Sequence, residues 1–204
     1  MQYLIMCGGK YPTPKGLRVV NGEALVERTI RLLKEQGVKE IAITSNDERF
    51  DGFGVPRLIH SNTFGEGGHW LEGFYPTDKP TCYIFGDVFF SPEAIKTIVE
   101  TKTDDIEFFA SSIPCFVKRW AEPFAFKVEN QKYFRACINA TISLAKAGMF
   151  KREPISWELW QVIKGTELNR IDYSNYTAID DYSCDIDTDK EYEELKEALE
   201  RMSG

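Results

Sequence analysis

Apolar residues along the chain fall into short unbroken runs separated by stretches of helical period. Tyr3 to Met6 is such a run, closed by Cys7-Gly8-Gly9, and an unbroken run suits a strand buried on both faces better than a surface strand of alternating polarity. A helix is expected from about Ala24 to Gln36, with Val26, Ile30 and Leu33 on one face and Gly37 as its stop. Ile41 to Thr44 is the next buried strand. Strand, helix and strand in that order make a right-handed βαβ unit whose ligand loop lies at the carboxyl end of the first strand.

The same grammar recurs downstream. Cys82 to Phe85 is apolar and leads into Gly86-Asp87, then Ser91-Pro92-Glu93 supplies an N-cap, a first-turn proline and a first-turn acid for a helix. Between the two units, His60 to Lys79 carries four glycines and Pro76, with Pro80 directly after, the pattern of a loop with one short helix near Trp70. Further strands are expected at Ile106 to Ser112 and Phe124 to Val128. A long helix follows over Gln131 to Ala147 with Phe134, Ile138, Thr141 and Ala145 inward, then a short one over Trp157 to Ile163 and a strand near Leu168 to Tyr173. Thr188-x-x-Glu191 is a capping box, and Tyr192, Leu195, Leu199 and Met202 form the buried stripe of the last helix. With no internal repeat or low-complexity tract, residues 1–204 are expected to form one domain.

Composition narrows the functional classes. The 204 residues include 25 Lys+Arg and 32 Asp+Glu, a formal charge of −7, so a broad nucleic-acid or anionic-membrane surface is not expected. Hydrophobic residues at 43% supply material for a sizeable core. The five cysteines are scattered and form no C-x-x-C pair, which points to a reduced, cytoplasmic protein. No basic leader precedes the first apolar run, so the chain is expected to begin as structure. With only His60 and His69 as imidazoles, any metal is expected to be a hard cation held by carboxylates.

Three constellations carry candidate chemistry. The first is the loop MCGGKYPTPKGLRVVNG, where glycines at a strand end allow close approach to phosphate oxygens and Lys10, Lys15 and Arg18 add cationic donors. It is neither a Walker A loop nor a dinucleotide fingerprint, and a strain-relieving turn with solvated lysines has the same composition. The second is Asp87, after a buried strand. The third is Asp185-Ile186-Asp187: two residues apart on an extended segment point to one side, so both carboxylates can converge on a cation while Ile186 packs away. Each acidic element also has a plain reading as a turn or as helix-dipole compensation.

The order of these three elements resembles the nucleotidyltransferases of the nucleotide-diphospho-sugar transferase fold, over most of the chain. The opening, from the Gly-Gly loop through Pro14-Lys15, the Asn-Gly turn and Leu25-Val26-Glu27-Arg28, looks like that family's first unit. FGDVFFS is similar to its mid-chain Gly-Asp, and DIDTDKEYEELKEAL to its closing motif, most closely that of phosphocholine cytidylyltransferases and CMP-sugar synthetases. The resemblance implies an α/β, Rossmann-like three-layer sandwich with a mostly parallel central sheet. It implies that Cys7, Gly8, Gly9, Lys10, Lys15 and Arg18 bind the nucleotide, with Lys15 meeting the phosphates during transfer. Asp87 and Asp187 would hold Mg²⁺, with Asp185 as a further ligand, and Lys15, Asp87 and Asp187 would carry catalysis. The implied reaction joins an NMP from an NTP, CTP favoured by the closing motif, to a small phosphorylated acceptor, a sugar phosphate or phospho-alcohol, with release of pyrophosphate. The family's loop usually continues after Gly-Gly as x-Gly-Thr-Arg, whereas here Lys10-Tyr11-Pro12-Thr13 leads directly to Pro14-Lys15. The loop is short, and Lys10 or Arg18 would have to replace the arginine. On the acceptor side the resemblance points to His69, Trp70, Glu122, Trp157 and Glu158. Trp157 and Trp160, three apart on a helix, equally suit a core. A non-catalytic nucleotide-binding regulator on the same fold and a metal-dependent glycosyltransferase are the rival readings.

Overall fold

The computed structural model describes residues 1–8, 12–60, 70–112 and 120–203. In chain order the elements are β1 (Gln2–Met6), β2 (Val19–Val20), β3 (Glu23–Ala24), α1 (Leu25–Glu35), β4 (Ile41–Thr44), β5 (Arg57–Leu58), β6 (Thr81–Phe85), β7 (Val88–Phe89), α2 (Pro92–Glu100), β8 (Ile106–Ala110), β9 (Pro123–Val128), α3 (Gln131–Lys146), α4 (Ser156–Lys164), β10 (Thr177–Ala178), β11 (Cys184–Asp185) and α5 (Asp189–Ser203). Seven strands form one sheet in the order β10-β8-β9-β6-β1-β4-β5. Only β9 runs antiparallel to its neighbours β6 and β8. β1 lies between β4 and β6, parallel to both, which is why its run is apolar on both faces.

Strand alternation sorts the sheet residues between two layers. Tyr83, Phe126 and Phe108 are cross-strand partners, and on their face Tyr83 stacks on Phe134 of α3 while Phe108 packs against Trp157 and Trp160 of α4. One residue along, Lys127 points to the opposite face, where its Nζ donates to Ile98 O and Val99 O at 2.9 Å and to Thr101 O, at the end of α2. A buried ammonium is tolerable there because the last carbonyls of a helix lack intrahelical partners and carry its negative end. α1 packs beside α2. Helices therefore flank the sheet in an α/β sandwich.

Local chemistry explains the element ends. Ser91 Oγ accepts Ala94 N–H at 2.8 Å ahead of Pro92, starting α2. Asn21 and Gly22 both have positive φ, as a two-residue hairpin between β2 and β3 requires. Residues 168–173 are not a strand: the backbone oxygens of Glu167 and Arg170 accept from the side chain of Gln161, and Tyr173 packs against Trp157, so the segment wraps α4. The edge strand is Thr177–Ala178 instead. In α5, Leu195 and Leu199 are buried but Met202 is exposed.

Candidate active site

A cleft of about 410 Å³ opens at the carboxyl ends of β1 and β6. The chain leaves β1 for β4 on one side while β6 lies on the other, and in open α/β sheets such a reversal leaves a crevice for ligands. Two glycines set its floor. Gly86 N–H donates to Met6 O at 3.0 Å, and a Cβ on Gly86 would lie 2.4 Å from Cys7 Sγ and 2.7 Å from Met6 O. A Cβ on Gly16 would lie 2.9 Å from Gly86 O. The short 3₁₀ turn Lys15–Leu17 can therefore sit directly on the end of β6, and this contact brings Lys15 Nζ within 3.3 Å of Asp87 Oδ2.

The far end of the chain completes the cluster. β11 pairs antiparallel with β7, Asp185 opposite Val88, and Ile186 N–H donates to Asp87 O at 3.1 Å. Ile186 is fully buried with Leu195 and Leu199, so the acids on either side are held while the residue between them anchors the segment. Asp187 Oδ1 accepts from Lys15 Nζ at 2.6 Å. The capping box is reciprocal: Glu191 Oε2 accepts the N–H groups of Asp187 and Thr188, and Thr188 Oγ1 accepts Glu191 N–H. Arg18 clamps the same turn, donating to Ile186 O, Thr188 O and Asp189 Oδ1.

Asp87, Asp185 and Asp187 offer carboxylate oxygens that all lie within 4.8 Å of one another, the only such cluster of potential ligands among the described residues. Three hard oxygen donors converging in this way suit a hard divalent cation. In this structure the Lys15 ammonium sits against them. Burial alone would lower its pKa, but Asp87, the hydrogen bond to Asp187 and the charge of Asp185 outweigh burial and raise it above the usual lysine value. Lys15 is therefore a fixed positive charge.

The opposite wall comes from three distant segments: Trp70, Glu122-Pro123 and Ile155-Ser156. Trp70 Nε1 donates to Pro154 O at 2.9 Å, tying the loop before β6 to the start of α4. Glu122 is 7% exposed and accepts from Trp120 Nε1. Its position follows from an irregularity in the β8–β9 register, where Phe124 is the extra residue opposite Phe109 and Ala110. Such a bulge re-aims the residues beside it.

Of the residues singled out in the sequence, Cys7, Gly8, Lys15, Trp70, Glu122, Asp87, Asp185 and Asp187 line this cleft. Gly9, Lys10 and His69 lie outside the described residues. The structure does not bring Arg18, Trp157 or Glu158 to it. Arg18 is turned to the closing segment. Trp157 is 1% exposed in the core between Phe108, Tyr173 and Tyr176. Glu158 serves α4, accepting Ile155 N–H at 2.9 Å and pairing with Arg152. Gly16, Gly86, Ile155 and Ser156 are among the cleft residues that the sequence did not single out as site candidates.

No family model and no curated protein matches the chain. Solved structures do. A CTP:phosphocholine cytidylyltransferase from Streptococcus pneumoniae aligns with a TM-score of 0.60 at 15% identity, over 97% of this chain and 98% of its own. The fold is that of the nucleotide-diphospho-sugar nucleotidyltransferases. An inositol-1-phosphate CTP transferase from T. maritima aligns with a TM-score of 0.58 at 16% identity, over 98% of this chain and 96% of its own. A protein described as a glucose-1-phosphate thymidylyltransferase from Bacillus anthracis gives 0.62 at 16% identity, over 98% and 95%. This nucleotidyltransferase fold places its cleft where the glycine-rich opening, the mid-chain Gly-Asp and the closing acidic pair meet. No helix among the described residues is long and apolar enough to cross a membrane.

Proposed function

We propose that the chain is a Mg²⁺-dependent nucleotidyltransferase, acting as one cytoplasmic domain, that joins an NMP, preferably CMP, to a small phosphorylated acceptor and releases pyrophosphate. The observation that supports it most is Lys15 bonded to both Asp87 and Asp187 beside Asp185, a cation among convergent carboxylates at the ligand crevice of this fold. The preference for CTP is supported by the closing Asp185-Ile186-Asp187-Thr188 motif and by the CTP-dependent reactions of two of the structural neighbours.

A phosphate oxygen of the acceptor forms a bond to the α-phosphorus of the nucleotide while the bond to the β-phosphate oxygen breaks, so pyrophosphate carries away the displaced electron pair. No protein nucleophile is required. Asp87, Asp185 and Asp187 would hold Mg²⁺, which when bound neutralises charge on the phosphates. Lys15 exchanges its carboxylate partners for phosphoryl oxygens, donating hydrogen bonds where negative charge builds in the transition state. The Gly8 backbone lets phosphate approach the end of β1 without a side chain in the way.

The test is pyrophosphate release with each NTP against a panel of phosphosugars and phospho-alcohols, with Lys15→Met as control. Turnover is expected, fastest with CTP, and kcat is expected to fall about 10²- to 10³-fold in the variant, the scale of losing one transition-state donor. Nucleotide binding without pyrophosphate release from any combination would overturn the catalytic reading in favour of a binding regulator. Hydrolysis of a nucleotide sugar in its place would point to glycosyl transfer.

A further inference from the structure

Ser156 is a polar residue in an unusual position. It is the first residue of the nine-residue α4, is 0% exposed and lines the cleft. Its Oγ is buried with no hydrogen-bond partner among the described residues. An unbonded buried hydroxyl is destabilising, and such groups are uncommon in folded proteins. Beside it the first-turn N–H groups of α4 have no intrahelical acceptor. Glu158 takes the Ile155 N–H and the Arg152 guanidinium, and the helix start is fixed from outside by the Trp70 bond to Pro154 O.

The surroundings select among ligand chemistries. A second anionic group would enter beside the buried carboxylate of Glu122 on the same wall, which opposes it. A quaternary ammonium offers neither donor nor acceptor and would leave Ser156 Oγ as it is. An alcohol hydroxyl both donates and accepts, so it can satisfy Ser156 and a first-turn N–H together.

Resting on the nucleotidyltransferase reading for the presence of an acceptor, we propose that Ser156 and the first turn of α4 form a subsite for a hydroxyl group of that acceptor. The acceptor is then the phosphate ester of a sugar or other polyol, not of a quaternary ammonium alcohol.

The test is calorimetric titration of the whole protein with glucose 1-phosphate, inositol 1-phosphate, glycerol 3-phosphate, deoxy analogues of the best of these and phosphocholine, repeated with Ser156→Ala. At least one polyol phosphate is expected to bind more tightly than phosphocholine and to lose about 3- to 10-fold in affinity in the variant, the worth of one neutral hydrogen bond. The matching deoxy analogue loses affinity for the wild type but not for Ser156→Ala, a double-mutant cycle that a merely structural serine would not produce. The melting temperature of the variant stays level or rises, since it loses a buried group without a partner. Unchanged polyol affinity in Ser156→Ala, no polyol phosphate binding at all, or tighter binding of phosphocholine overturns the subsite. The two readings separate cleanly: pyrophosphate release from polyol phosphates with an unaltered KM in Ser156→Ala sinks the subsite alone, whereas Ser156-dependent binding without pyrophosphate release from any NTP sinks the transfer reaction alone.

Discussion

Gly86 shows how a single missing atom organises this cleft. Its peptide is where β6 ends, where the 3₁₀ turn of Lys15 lands and where Cys7 Sγ packs. A methyl group there meets Met6 O at 2.7 Å, a backbone atom held in the sheet, and Cys7 Sγ at 2.4 Å. The backbone contact has no means of relief short of pulling β6 from β1, so Gly86→Ala is expected to destabilise the fold by about 1–3 kcal/mol, the usual scale of overpacking. It should also shift Asp87 away from Lys15. Equilibrium urea unfolding measures the first effect, and the transfer rate at saturating substrate the second. Because one of the two clashes is with sulfur, Cys7→Ala in the Gly86→Ala background should restore part of the stability but not all of it. Full restoration would show that the Met6 contact is harmless, and no restoration would show that the sulfur is.

At the scale of elements, the parts of the fold that were legible in the sequence are those whose burial is local. β1, β4 and β6 are central strands covered on both faces, so each stands out as an apolar run, and Ser91-Pro92 fixes the start of α2 by chemistry within four residues. The two-residue pairing of β7 with β11 was not legible, because neither strand has a pattern of its own and each exists only because the other is there. The strand expected over Leu168 to Tyr173 fails for a tertiary reason: Gln161 from α4 takes the backbone oxygens at Glu167 and Arg170. The cleft divides in the same way. Its cationic loop and three acids were readable, and Glu122 was reached through the resemblance, whereas the wall at Ile155 and Ser156 is assembled by a helix start that no local pattern announces. Arg18 is the element-scale link between the two chain ends. It was expected at the nucleotide, yet it donates to Ile186 O at 3.3 Å and Thr188 O at 3.0 Å, and those bonds hold Asp185 and Asp187 in place. The ion pair with Asp189 adds little, since that carboxylate is 96% exposed. Arg18→Ala should therefore leave the global unfolding midpoint nearly unchanged while raising the Mg²⁺ concentration needed for half-maximal transfer several-fold. Asp189→Ala should change neither the midpoint nor the Mg²⁺ requirement. A large loss of stability in Arg18→Ala would instead make Arg18 a structural clamp for all of α5.

For the molecule as a whole, the acidic balance of the sequence conceals an uneven distribution. Three carboxylates converge on one lysine in the cleft, while the core beneath holds several groups that ionise only at high pH. Burial pushes the Cys82 thiol up to about 12 against a weaker opposing pull from Lys127, and it pushes the Tyr83 phenol up to about 12 as well. Burial, with Asp87 nearby, also raises Cys7, and Tyr3 is raised by burial and by Cys82. Each of these groups holds its proton more tightly folded than unfolded. Its contribution is therefore complete below the ordinary value, near 9 for a thiol and 10 for a phenol, and is lost as pH climbs from there toward the folded value. Lys127 works the other way, because burial lowers it and the folded state sheds its proton first, but it stands against these four and against Cys137, Tyr176 and Lys15, which are raised as well. The urea midpoint should thus be level from about pH 6 to 8.5 and then fall, with each raised group able to contribute at most about 1.4 kcal/mol per pH unit once its unfolded form ionises. The thiols should act first, since their ordinary values are the lower. Cys82→Ala should accordingly reduce the slope of the decline, whatever it does to the midpoint at pH 7, while the onset stays near the ordinary thiol value because Cys7 remains. A decline that begins below pH 8, or one whose slope is the same in Cys82→Ala, would mean that alkaline unfolding starts at the surface charges and not in the sheet.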